Sequence, residues 1–307
     1  MKLREFNYAS ADTKTTIHAC MWIPEACEPK GVIQIAHGVT EYIKRYEPFA
    51  EYFTEKGYVV VGNDHIGHGK SIAKSSEPMY FGPEGSWSYV VKDFKACMDD
   101  VKKVFPNIPY YVIGFSLGSF VVRTVLIDYP YEKLDKVILI GTGQMSALPI
   151  KIAKMMANKE AKKAGEEHST PGIHSLTFGT YNKVFKPNRT EYDWLCANNE
   201  ALDDYIKDPD RGGDFSAGLF RELLNGMLYT AKVKNIKRMN KDIPVLLLSG
   251  EMDPVGDCGK GVRKTFETLK KAGVKTISMK LYPEDRHDIL HEKDRMDVYR
   301  DIEKWVK

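Results

Sequence analysis

Cysteine is scarce in this sequence and shows no pairing pattern. The five residues, Cys20, Cys27, Cys97, Cys196 and Cys258, are odd in number and scattered, and they form no Cys-x-x-Cys pair. Neither a disulfide framework nor a zinc site is expected. Nowhere do about 18 apolar residues run without interruption, the length that a membrane-crossing helix needs. The N-terminus, Met-Lys-Leu-Arg-Glu-Phe-Asn-Tyr, carries charge where a signal peptide would need an apolar run. A reducing cytoplasm and no transmembrane segment are therefore expected. Neither sign of charge dominates, since 45 Lys and Arg against 42 Asp and Glu leave a net charge of +3. The signs are interleaved along the chain, which argues against a nucleic-acid partner. The short basic cluster Lys159, Lys162 and Lys163 is followed by Glu166 and Glu167 and reads as a solvated helix face. Internal repeats and low-complexity segments are absent as well.

What is present is enough for one large domain with an insertion: 307 residues, 43% of them hydrophobic. Four short β-branched runs stand out, at residues 31–36, 58–62, 110–113 and 136–140, with two more at 244–248 and 276–282. Near-continuous apolar strands of this kind are buried on both faces, as in a parallel sheet. Helical stretches lie between them. Residues 46–56 carry Phe49, Ala50 and Phe53 and stop at Gly57, and residues 89–105 place Val90, Phe94, Met98 and Val101 on one stripe. Residues 15–22 fit an antiparallel leading strand. The alternation predicts a doubly wound α/β domain. It breaks between Gln144 and Asp242, where turn residues and helix formers replace buried strands. The chain is thus divided into a core of residues 1–143 and 242–307 and a helical cap insertion of residues 144–241.

The sharpest local motif is Gly114-Phe115-Ser116-Leu117-Gly118. It sits between a predicted buried strand and a predicted helix over residues 117–129. A serine nucleophile requires this context: a sharp strand-to-helix turn lifts its hydroxyl out of the backbone, and flanking glycines permit the close packing. Serine is a poor nucleophile without a base, and the base needs a carboxylate to hold its tautomer. In this architecture the acid and then the histidine follow in chain order, each past the end of a later strand. Asp253 is the expected acid, with Glu251 and Asp257 as nearby competitors, and His287 is the expected base. Two backbone N–H groups would hold the developing oxyanion, those of Leu117 and Val39. His37 has no role in this scheme and is expected to be structural. Glu41 and Arg45, four residues apart, are expected to pair.

Several ordered motifs then resemble one family over nearly the whole chain. His37-Gly38-Val39-Thr40-Glu41 with Arg45-Tyr46 resembles an HGxxE…RY loop, and Asp64 to Ser71 resembles a D-x-x-GHG-x-S segment. Gly114 to Gly118, Gly250 to Pro254 and Arg286 to Glu292 resemble the elbow, acid loop and histidine loop of the same family. It is the monoacylglycerol lipase and lysophospholipase-like branch of the α/β-hydrolases, the serine aminopeptidase S33 or Hydrolase_4 group. Asp288 and His291 replace the commoner Glu and Asn of the histidine loop, and the cap resembles that of bacterial relatives. The resemblance implies an α/β-hydrolase fold, a mostly parallel eight-stranded sheet flanked by helices. It also implies hydrolysis of a carboxylic ester through an acyl-enzyme, with no metal and no cofactor.

The substrate is expected to be a small-molecule ester with an apolar acyl chain, bound between sheet and cap. Met145, Met155, Met156, Phe220 and Met227, with Leu148, Ile152 and Leu224, are apolar at helical spacing in the cap, and methionine adapts to varied chain shapes. Two other readings stay open. An aminopeptidase of the same superfamily would need cap carboxylates, for which Glu191, Asp193, Asp203 and Asp204 are candidates. A non-catalytic binding member of the fold would need no triad. Ser116 in the elbow excludes an aspartate-nucleophile dehalogenase.

Overall fold

The structure, a computed structural model, describes residues 1–73, 77–177 and 179–307. The apolar runs named above are among the eight strands of one sheet, of which the last lies half-exposed at an edge and is not buried on both faces as its run suggested. In chain order they are β1 (Lys2–Ala9), β2 (Thr16–Ile23), β3 (Gly31–Ala36), β4 (Tyr58–Asn63), β5 (Tyr110–Phe115), β6 (Lys136–Ile140), β7 (Val245–Gly250) and β8 (Ile277–Tyr282). Their spatial order is β1-β2-β4-β3-β5-β6-β7-β8. β1 and β2 are antiparallel to their neighbours, and every pairing from β3 and β4 onward is parallel. Residues 15–22 are thus the antiparallel leading strand they were expected to be. β1 was not anticipated from composition: its side chains are mostly exposed, so it has no buried stripe to announce it.

Side-chain alternation along each central strand feeds two cores. Ile33 and Ile35 of β3 and Ile113 of β5 pack on one face with α1 (Glu47–Glu55), where Phe49 and Phe53 also lie. Val32 and Val112 face the other way, toward α2 (Trp87–Val104) and α3 (Leu117–Asp128). Between β6 and β7 come α4 (Ala147–Ala164), α5 (Pro171–Thr177), α6 (Asn199–Lys207), α7 (Ala217–Thr230) and α8 (Val233–Ile236), with no strand among the described residues. The chain then closes with α9 (Lys260–Lys271) and α10 (Arg295–Val306); Val298 and Ile302 of α10 join the α1 face of the sheet. No helix among the described residues is long and apolar enough to cross a membrane.

The first turn of α3 sets the spacing of the central layer. A Cβ added at Gly118 would stand 1.9 Å from the Ala36 carbonyl oxygen at the end of β3, and one at Gly114 would stand 2.5 Å from the Gly118 carbonyl oxygen. Both obstructions are backbone, which cannot swing aside as a side chain would. Gly118→Ala is therefore expected to lose about 3 kcal/mol or more of stability, the upper end of overpacking costs. Gly213→Ala, where nothing lies within 4 Å of the added carbon, should stay within about 0.5 kcal/mol of wild type. Urea unfolding followed by circular dichroism measures both, and equal stabilities would refute the packing argument.

Candidate active site

β5 ends at Phe115 and α3 begins at Leu117, so Ser116 alone makes the turn. Its φ of 51° and ψ of −117° lie where a non-glycine residue is strained. The Ser116 amide donates to the Ile140 carbonyl of β6 (2.9 Å), and its own carbonyl accepts from the Ser119 hydroxyl (2.6 Å). The strained turn is thereby held on two sides.

The loops after β7 and β8 bring the two expected partners to this turn. His287 Nε2 lies 2.8 Å from Ser116 Oγ, and His287 Nδ1 lies 2.9 Å from Asp253 Oδ2. Neither Glu251 nor Asp257 makes a hydrogen bond to His287 among the described residues, so geometry favours Asp253 over its competitors. The Asp253 carboxylate also accepts from the Val255 amide (2.8 Å) and the Ser249 hydroxyl (3.2 Å), which fixes the face it shows the ring. Both His287 and Asp253 are buried. Burial alone would lower the His287 pKa, but the charge and hydrogen bond of Asp253 outweigh it. With smaller contributions from Asp288 and Glu41, they raise it above the ordinary 6.5. Phe115 and Trp194 pack against the imidazole at ring-centroid distances of 5.0 and 5.5 Å. Trp194 was legible in the sequence only as part of the cap, since no local pattern marks an aromatic that will meet a distant histidine. This arrangement can move a proton from the serine hydroxyl to the imidazole and stabilise the imidazolium that results.

The Val39 loop is fixed from both ends. The Gly38 amide donates to Glu41 Oε1, which also accepts from Tyr46 Oη at 2.7 Å. Arg45 pairs with Glu41 Oε2 at 3.1 Å, as its spacing suggested, and reaches Asp288 Oδ2 at 3.6 Å. Beneath the loop, His37, His65 and His68 form a buried cluster. His68 Nε2 lies 2.5 Å from the Val39 carbonyl, and His37 Nε2 accepts from the His65 amide at 2.9 Å. Burial and the neighbouring rings push His37 well below its ordinary value and His65 to about 3, and burial lowers His68 as well. His37 is structural, as expected, and the other two share that role in holding the Val39 loop.

A cavity of about 220 Å³ opens beside Ser116, with Val39, Leu117 and His287 in its wall. Of the apolar cap positions predicted to line it, Met145, Phe220, Leu224 and Met227 do so. Met155 and Met156 do not, and neither do Leu148 and Ile152; all four are exposed on the outer face of α4. The reason is the phase of the helix. α4 turns Ile150 and Ala153 into the cavity and buries Ala157, and helical spacing in a doubly apolar helix cannot say which stripe faces in. Leu176, Tyr181, Phe215 and Val255 also line the wall and escaped the sequence reading.

A mostly parallel eight-stranded sheet with a serine on a sharp turn between the fifth strand and its helix defines an α/β-hydrolase. More narrowly, the chain belongs to the Hydrolase_4 family, described as serine aminopeptidase S33, whose model matches residues 27–294. Among curated relatives, the monoacylglycerol lipase of Mycolicibacterium smegmatis is 24% identical over 93% of this chain and 91% of its own length. The monoglyceride lipase of Homo sapiens is 25% identical over 93% of this chain and 84% of its own. Among solved structures, a thermostable carboxyl esterase from Bacillus coagulans, in complex with glycerol, superposes with a TM-score of 0.90 at 25% identity. That match covers 100% of this chain and 98% of the esterase.

If His287 is the proton acceptor for Ser116, covalent capture of the serine must follow the ring's titration. The neutral ring is the active form, so the rate of fluorophosphonate labelling should fall as pH drops through a midpoint above 6.5. In Asp253→Asn, NMR of the His287 ring should show a lower pKa. A wild-type labelling midpoint at or below 6.5 would contradict the raised His287 pKa.

Proposed function

We propose that this protein is a carboxylic ester hydrolase acting on monoacylglycerol- or lysophospholipid-like esters. The observation that carries the reading is the hydrogen-bonded line Ser116–His287–Asp253 at the wall of an apolar cavity. Ser116 Oγ attacks the ester carbonyl while His287 Nε2 takes its proton. The N–H groups of Leu117 and Val39 receive the oxyanion. Collapse of this intermediate releases the alcohol, protonated by His287, and leaves an acyl-Ser116 that water hydrolyses with His287 again as base. Asp253 keeps the imidazole in the tautomer that can accept the serine proton. The relatives named monoacylglycerol lipase and carboxyl esterase support ester chemistry.

Residues 144–241 act in this scheme as a cap over the core formed by 1–143 and 242–307, and the cap supplies most of the acyl wall. Phe220, Leu224, Met145 and Met227 offer the chain an apolar, adaptable surface. The cavity volume of about 220 Å³ falls below the roughly 300–1,000 Å³ of common ligand pockets, which favours a medium acyl chain over a long one. The aminopeptidase reading has less support. Asp193 accepts from the Arg189 and Thr190 amides and Asp203 pairs with Arg189, while neither these two nor Glu191 and Asp204 line the Ser116 cavity. The five free cysteines support a reducing, cytoplasmic setting.

Hydrolysis of p-nitrophenyl esters from two to twelve acyl carbons tests this, with wild type and Ser116→Ala side by side. The expected loss in kcat for Ser116→Ala is about a million-fold, the scale of triad serines, and the wild-type optimum should fall at medium length. Equal, slow rates for both proteins on every ester would overturn the proposal, and a strong preference for acetyl over octanoyl would overturn its acyl part.

A further inference from the structure

A second group of reactive side chains lies on the antiparallel strands, outside the Ser116 cavity. β1 and β2 pair with Glu5 opposite Cys20. Strand side chains alternate, so His18, two residues before Cys20, shares that face. A carboxylate oxygen of Glu5, a ring nitrogen of His18 and Sγ of Cys20 lie within 4.8 Å of one another. Cys20 and His18 are buried, and Glu5 is open to solvent.

The imidazole is oriented in a way that packing does not require. His18 Nδ1 lies 2.9 Å from Asp64 Oδ2, and Asp64 also accepts the Ile43 amide (2.8 Å) and the Lys70 amide (2.9 Å). With Nδ1 held by Asp64, the ring directs Nε2 into the space between Glu5 and Cys20. Nε2 is buried and has no hydrogen-bond partner, and it stands 3.6 Å from Glu5 Oε2. A carboxylate behind one imidazole nitrogen, with the other making no hydrogen bond and facing a second carboxylate, is the arrangement that orients metal-binding histidines.

We propose that Glu5, His18 and Cys20 bind a divalent metal ion of the zinc class, His18 through Nε2. Mixed sulfur, nitrogen and oxygen donors suit zinc, whereas calcium and magnesium take oxygen ligands. Zinc–nitrogen bonds of about 2.0 Å and zinc–oxygen bonds of about 2.0–2.2 Å set tetrahedral nitrogen and oxygen donors roughly 3.4 Å apart, close to the Glu5–His18 separation of 3.6 Å. On binding, the Cys20 thiol proton leaves to solvent and a metal–thiolate bond replaces the S–H bond. Lys70 Nζ, now 3.1 Å from Glu5 Oε2, is exposed and moves off the carboxylate. Water fills the fourth position on the solvent side, beside Glu5. The ion would clip the exposed strand β1 to β2. Cysteine spacing could not announce such a site, because its donors come as His-x-Cys on one strand and a glutamate from the next.

Full-length protein stripped with a chelator should be titrated with Co²⁺ and then Zn²⁺. The expected result is a thiolate-to-cobalt charge-transfer band that saturates at one equivalent and is bleached by Zn²⁺. Cys20→Ser should abolish the band. Glu5→Gln, a change at an exposed position, should keep the fold and weaken Co²⁺ binding at least ten-fold. Zn²⁺ should also raise the Tm of wild type more than that of Glu5→Gln. No saturable band in wild type, or a band unchanged in Cys20→Ser and so due to the exposed Cys27 or Cys258, would overturn the proposal.

Discussion

A carboxylate taken out of water must be paired or it will not stay charged, and Glu41 is almost wholly buried. Burial raises its pKa, against which Arg45, Tyr46 and the Gly38 amide all act. The same four groups thereby define the loop that carries Val39. Arg45 continues the network to Asp288, whose pKa is lowered by His291 and by Arg45 itself against the effect of its own burial. Two loops far apart in the sequence, one following β3 and one following β8, are joined through a single guanidinium. Removing one member of such a buried set would leave its partner uncompensated, which typically costs about 3–5 kcal/mol. This pairing ties the Val39 loop to the loop that carries His287.

Neutrality does for the floor of the site what charge does for its wall. Three histidines packed together in a buried space resist protonation, and burial holds all three below the ordinary histidine range. Neutral imidazoles can each donate once and accept once, and His37 uses both abilities: Nδ1 faces the Gly38 carbonyl and Nε2 takes the His65 amide. The glycine-rich segment after β4 is thus tied to the Val39 loop by ring nitrogens and carbonyls. His287 differs from these three in having Asp253 against it, and the direction of its pKa is opposite for that reason.

The sequence made legible whatever a local rule governs. Five buried strands and the half-exposed edge strand β8 declared themselves by apolar runs, and the candidates Ser116, Asp253 and His287 by their places after β5, β7 and β8. The structure brings these three side chains within hydrogen-bond reach. What stayed hidden depends on contacts between distant segments. β1 has alternating but exposed side chains, so hydrophobic pattern could not mark it. In α4, apolar residues occur on two faces, and only packing chose Ile150 and Ala153 over Met155 and Met156 for the cavity. Trp194 meets His287 across a long loop, a distance over which no periodicity operates.

The span between β6 and β7 meets the Ser116 site through two kinds of interaction, directional bonds at the histidine loop and apolar side chains along the cavity. Residues 193–198 are stitched to the histidine loop by directional bonds. Leu195 accepts the Asp288 amide at 2.7 Å, and Glu292 accepts the Ala197 and Asn198 amides at 2.8 and 3.1 Å. Arg286 reaches the Asp193 carbonyl and stacks on Phe185 at 4.3 Å. These bonds set Trp194 against the imidazole with little freedom. α4 and α7 turn mainly the apolar Ile150, Ala153, Phe220, Leu224 and Met227 to the opposite wall, while α7 itself is hydrogen-bonded to the core away from the cavity, where Glu222 accepts the Trp87 amide at 3.1 Å and the Thr230 carbonyl accepts from Arg123 at 3.0 Å. Directional bonds specify one geometry, as the Ser116–His287 pair needs, whereas dispersion contacts accept several at similar energy. The division places rigidity beside the hydroxyl and imidazole and tolerance along the cavity.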